Sequence, residues 1–236
     1  MEIRKKLVDP SKYGTKCPYT MNPEFITVHN TYNDATAENE VSYMIRNDNQ
    51  VSFHIAVDDK EAVQGIPLER NAWHTGDGNG NGNRKSIGVE ICYSLSGGDR
   101  YYKAEDNAAI VVAQLMKQYN IPISKVRTHQ SWSGKHCPHR MLDEGRWNSF
   151  IERVQNAYKG GGSNMKWTMR SGGLGVSLAQ EIMDKLAEFK VKGNLVYEAD
   201  GIFYLQCEPV DDRNKLGAIT WYFRDYKGWY CEVYQV

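Results

Sequence analysis

The sequence predicts an α/β domain followed by a smaller α+β domain. Three observations carry that reading: apolar β-branched runs alternate with helical stretches up to about residue 157, a glycine triplet follows, and a second β-α-β-β-α-β pattern closes the chain.

In the first part, Phe25-Ile26-Thr27-Val28-His29 opens the strand pattern, and further strands are expected near 51 to 58, 62 to 66, 86 to 92 and 126 to 129. Helices are expected near 36 to 47, 104 to 119 and 143 to 157. The helix from Ala104 carries Ala108, Ile110, Val111, Val112, Leu115 and Met116, an apolar stripe at helical spacing that should pack on a sheet. The boundary falls at Gly160-Gly161-Gly162, where backbone freedom disfavours helix and strand alike. The expected division is therefore residues 1–158, a linker over 159–164, and residues 165–236. After the linker come a strand at 165 to 170, a helix at 176 to 191, and strands at 195 to 199 and 202 to 207 about an Asp200-Gly201 turn. A helix at 211 to 225 and a strand at 228 to 235 complete an order that suggests a ferredoxin-like domain.

Composition narrows the function. Lys and Arg number 29 against 29 Asp and Glu, split 20 to 19 before residue 160 and 9 to 10 after it. Neither part is basic enough for nucleic acid to be the main partner. No run reaches the roughly 18 apolar residues that cross a bilayer, and Asp9-Pro10-Ser11 follows the N-terminus where a secretory apolar core would stand. Neither a signal peptide nor membrane insertion is expected. Nothing suggests an oligomer, and a monomer is expected. Five scattered cysteines give no disulfide framework, and Cys207 and Cys231, in aromatic strands, read as buried apolar thiols of a chain made in a reducing compartment.

The chemistry gathers elsewhere. His29 ends an apolar strand, while His129 and Cys137 are eight apart across Ser133-Gly134, so a bent loop can bring both side chains to one point. Two imidazoles and a thiolate would leave one tetrahedral position of a zinc ion open. Cys137 as the nucleophile of a cysteine peptidase is the competing reading. Glu90 lies inside the apolar strand Ile87–Cys92, where burial would raise its pKa and suit it to accept a proton; a rim carboxylate paired with a basic residue is the alternative. Lys135, two before Cys137, can project toward the same point and stabilise an oxyanion.

The stretches Phe25–Asn30, Val51-Ser52-Phe53-His54, Trp73-His74-Thr75-Gly76, Ser86–Glu90 and Thr128-His129 through Lys135-His136-Cys137-Pro138 resemble the type-2 zinc-dependent N-acetylmuramoyl-L-alanine amidases. The whole chain is similar to amidase endolysins of phages and prophages of Gram-positive bacilli, strongly to about residue 157 and weakly over the tail. The resemblance implies a mixed central sheet flanked by helices. It also implies zinc (Zn2+) on His29, His129 and Cys137, Glu90 as general base and Lys135 beside the scissile carbonyl. His74 and Trp73 are expected to line the substrate groove, with His54 buried behind the site. Some relatives carry Tyr where Phe53 stands, so a catalytic tyrosine is not expected here.

The implied substrate is bacterial peptidoglycan, cut between N-acetylmuramic acid and L-alanine. The tail, crowded with aromatic residues including Trp221, Tyr226 and Tyr230, is expected to bind a cell-wall polymer. Such lysins accumulate in the cytoplasm and reach the wall once a holin opens the membrane. A non-catalytic recognition module remains a second alternative, although relatives that have lost activity usually lack the cysteine. Asp77–Gly82 copies half of an EF-hand loop, but Gly88 stands where the closing Glu is required. Those glycines are expected instead to supply positive-φ positions in a loop beside the cleft.

Overall fold

A run of six residues with no exposed member, Phe25–Asn30, needs cover on both faces, and it forms β2, an interior strand of a six-stranded sheet. The computed structural model describes residues 1–159, 166–198, 201–211 and 213–236. It divides into two units, Met1–Gly161 and Gly162–Val236. Most of the expected linker and the Ala199-Asp200 step lie outside the described residues.

The first unit begins with β1 (Ile3–Lys5) and the short α1 (Tyr13–Lys16), followed by β2 (Phe25–Asn30) and α2 (Ala37–Arg46). Next come β3 (Ile55–Val57), β4 (Ala62–Gln64), α3 (Asn81–Lys85), β5 (Ser86–Ile91), α4 (Gly98–Tyr119) and β6 (Val126–Thr128). Three helices, α5 (Gln130–Ser133), α6 (His139–Asp143) and α7 (Trp147–Tyr158), close the unit. The strand order is β1-β4-β3-β5-β2-β6, parallel throughout except for β3 against β4, so the sheet is mixed.

Three details depart from expectation. The strand near 51 to 58 shortens to β3, because Ser52 pairs with the Trp73 backbone and Val51 stands exposed. The helix expected over 143 to 157 starts later, as α7, because Gly145 takes φ +64° ahead of it, and the short α6 lies before the expected span except for Asp143. On α4, which starts at Gly98, Ala108, Val111, Val112, Leu115 and Met116 are buried as the stripe predicts, while Ile110 faces outward. Buried Glu105 ties α4 to α7 through ion pairs with Arg146 and Arg153.

The second unit contains β7 (Trp167–Ser171), β8 (Leu174–Gly175), α8 (Ala179–Glu188), β9 (Gly193–Tyr197), β10 (Ile202–Cys207), α9 (Gly217–Trp221) and β11 (Cys231–Gln235). Neighbours run β11-β7-β10-β9, all antiparallel, with β8 extending the β7 side along β10. With a helix between β7 and β9 and another between β10 and β11, this is the ferredoxin-like order. Phe203, Leu205, Ile219, Phe223 and Met169 fill its core. All five cysteines of the chain are free and buried.

Candidate metal centre and its cavity

Parallel pairing of β2 with β5 sets His29 directly beside Glu90, and both side chains point to the same face of the sheet. His129 follows the end of β6, the other neighbour of β2. The single turn of α5 then ends at Gly134, which takes φ +79° and bonds back to the Gln130 carbonyl. The chain reverses there, and the Cys137 carbonyl accepts from the Gln130 N–H at 2.9 Å. That hairpin-like return sets the thiol beside the two rings.

The donor atoms of His29, His129 and Cys137 all lie within 4.8 Å of one another, and all three residues are buried. His29 Nδ1 is 3.1 Å from His129 Nδ1 and 3.8 Å from Cys137 Sγ. Tetrahedral zinc with normal bond lengths would put two ligand nitrogens ~3.3 Å apart and a nitrogen ~3.6 Å from a sulfur. The residues therefore fit zinc in chemistry and in spacing.

Proton bookkeeping supports the same fit. His74 Nε2 faces the Ser86 carbonyl at 3.2 Å and must donate to it, which leaves His74 Nδ1 an acceptor. That atom lies 2.9 Å from His29 Nε2, so His29 donates there and turns the lone pair of Nδ1 toward His129 and Cys137. Burial first, then the neighbouring imidazoles His74 and His129, hold the His29 pKa well below its ordinary value. Burial and the Lys135 charge lower that of His129. Both shifts favour the neutral ring, the form that binds metal.

Glu90 Oε1 stands 3.9 Å from His29 Nδ1, and Oε2 is buried with no hydrogen-bond partner among the described residues. Burial, and next the negative charge of Glu40, push the Glu90 pKa up to about 8 against the pull of Lys135. Glu90, Lys135 and Cys137 open onto one cavity of about 630 Å³. Its walls include Asn30, Tyr32 and His139 from one side, and Glu40, Tyr43, Asn47 and Val51 from α2 and the segment after it. Phe53 also lines it. No local pattern in the sequence marked Tyr32, Glu40 or Tyr43 as cavity residues; they arrive through the fold.

Two expected substrate contacts are not among the residues lining this cavity. His74 is only 8% exposed, and its ring nitrogens meet the Ser86 carbonyl and His29. Trp73 hydrogen-bonds through its backbone to Ser52 and sets its ring edge-on to Tyr19. His54 is fully buried, accepting from the Gly88 N–H and meeting the Arg70 carbonyl at 2.9 Å. The Asp77 loop is also absent from the cavity wall among the described residues. Its carboxylate is bonded to Thr75, Gly82 and Asn83 of its own loop. Only Gly78 of the three glycines has positive φ; at Gly80 and Gly82 a Cβ would collide with Asp77 and Thr75.

Among the described residues, no helix is long and apolar enough to cross a membrane. The family model for N-acetylmuramoyl-L-alanine amidase matches residues 19–140. The amidase XlyB of Bacillus subtilis (strain 168) is 57% identical over 170 residues, covering 72% of this chain and 54% of that protein. The amidase CwlA of a Bacillus species is 64% identical over 157 residues, 66% of this chain and 62% of that one. The chain thus spans between half and two thirds of the length of these curated relatives. Among solved structures, PlyL is similar at 78% identity and TM-score 0.65, covering 65% of this chain and 97% of its own. The catalytic domain of PlyG, in solution, is similar at 80% identity and TM-score 0.65, covering 67% and 96%.

Proposed function

The chain belongs to the N-acetylmuramoyl-L-alanine amidase family, and on that basis we propose that it hydrolyses the amide joining N-acetylmuramic acid to the L-alanine of peptidoglycan stem peptides. The observation that carries the proposal is the convergence of His29, His129 and Cys137, the last of which lines one cavity together with Glu90 and Lys135.

In this reading His29, His129 and Cys137 hold a zinc ion, which supplies Lewis acidity to polarise a carbonyl and ease deprotonation of water. Glu90, a carboxylate made more basic by burial, accepts the proton of the attacking water and passes it to the departing alanine nitrogen. The Lys135 ammonium offsets the negative charge that develops on the carbonyl oxygen. Phe53 has no hydroxyl to contribute, so acid-base work falls to Glu90.

The cysteine-peptidase alternative needs an activated thiolate. Burial, then the Glu90 charge, push the Cys137 thiol up to about 12, so a thiolate there needs a bound cation to stabilise it. Chelation separates the two readings: an amidase loses activity on metal removal and regains it with zinc, whereas a cysteine peptidase keeps activity throughout.

For the second unit we propose binding to a cell-wall polymer. Trp221 and Tyr226 are 54% and 65% exposed although Phe203 and Phe223 already fill the core, so rings remain for sugar stacking. Co-sedimentation of the full chain with walls, before and after the attached polymers are stripped, tests this. Retention only on intact walls supports it; equal retention, or none, contradicts it. The remaining expectations, a monomer released from the cytoplasm through a holin, stand as part of the same proposal.

A further inference from the structure

Among the described residues, four other than glycine have left-handed backbone: Tyr32, Tyr93, Asn120 and Lys190. Asn120 and Lys190 follow the ends of α4 and α8, where this conformation commonly closes a helix. Tyr93 is 2% exposed and packs into the core, with Arg100 over its ring. Tyr32 has neither reason. It follows a strand at φ +60°, a conformation that favours glycine, yet its side chain is 69% exposed. The turn is fixed by its N–H donating to buried Ser94 Oγ at 2.8 Å, and the ring is braced against His139 with centroids 4.6 Å apart.

Such backbone strain persists where the surroundings enforce it, and it gathers at ligand sites. Tyr32 lies three residues after His29 and forms part of the wall of the cavity that holds Glu90. If the scissile amide is the one proposed above, only a lactyl group separates it from a pyranose ring. A surface for that ring must therefore stand in this same cavity. An exposed tyrosine offers an apolar face for the sugar C–H groups and a hydroxyl at its rim.

Resting on the amidase reading, we propose that Tyr32 is a substrate-positioning residue whose ring stacks on the pyranose of the N-acetylmuramoyl group. Its test uses the full zinc-loaded chain and two ligands that differ only in the sugar: an N-acetylmuramoyl peptide as substrate, and the same peptide bearing D-lactate alone as a competing ligand. Tyr32→Gly should raise KM for the muramoyl peptide about fivefold or more, the loss expected for one stacked ring. It should leave kcat and the inhibition constant of the lactyl peptide unchanged, with a melting temperature equal to or above the native one because glycine relieves the turn. Tyr32→Trp should keep KM near the native value.

An unchanged KM, an equal weakening of both ligands, or a fall in melting temperature beside the rise in KM would overturn the proposal. If the native chain releases no alanine amine, the amidase reading fails. Calorimetric binding of the muramoyl peptide then decides Tyr32 separately: weaker binding by Tyr32→Gly supports the stacking role, and equal affinity overturns it.

Discussion

His29 Nε2 lies 2.9 Å from His74 Nδ1, and this contact decides which nitrogen of His29 faces the candidate metal centre. The Ser86 carbonyl fixes the proton of His74, His74 fixes that of His29, and the free lone pair of His29 is turned toward His129 and Cys137. His74 thus orients a candidate metal ligand without being one itself.

Replacing His74 with alanine should therefore weaken zinc binding by about 10- to 100-fold, the usual effect of losing a partner behind a metal ligand. Competition with a chromogenic chelator measures it, and far-ultraviolet circular dichroism checks that the fold persists. Native affinity in a folded His74→Ala chain would show that the contact does not orient His29.

Glu90→Gln keeps the shape of the side chain and removes its ability to take a proton. The variant should retain zinc at native affinity and lose about 10²- to 10⁴-fold in turnover on peptidoglycan. Metal content by atomic absorption beside the initial rate separates the roles: native turnover removes the general-base assignment, and lost zinc makes Glu90 a structural support.

Acid stability offers a test away from the site. Hydrogen bonds from Arg4 first, then Lys6, hold the Glu38 carboxyl at about 2, below its ordinary 4.5, and so fasten β1 to α2. A depressed carboxylate contributes stability above pH 4.5 and loses it as the pH falls toward 2. The group is one-third exposed, so solvent screening limits its contribution to under about 1 kcal/mol. Urea midpoints at pH 7 and pH 2.5 should converge by up to that amount for Glu38→Gln relative to the native chain; identical pH dependence would remove the pair as a contributor.

Much of this arrangement was legible in the sequence, for physical reasons. A strand buried on both faces must be apolar throughout, so β2 and β5 announced themselves, and an acid inside β5 was conspicuous. The four histidines at positions 29, 54, 74 and 129 were visible, but their division of labour was not, because it depends on contacts across tens of residues. One signal for His74 did exist. Gly88 interrupts an apolar strand, and a Cβ there would stand 2.9 Å from the His74 ring, so that glycine marks the close approach. Strand β1 went unread because three residues on a sheet edge, two of them charged and exposed, carry no apolar alternation. The later start of α7 turned on the backbone angle of Gly145, which helical periodicity does not register.

The most direct measurement incubates the full zinc-loaded chain with purified peptidoglycan and identifies the new ends, with a chelated sample as control. The zinc amidase should give free α-amino groups on alanine, no new reducing sugars, and no release after chelation until zinc is restored. Reducing sugars, or alanine amines released at full rate in chelator, would contradict that assignment.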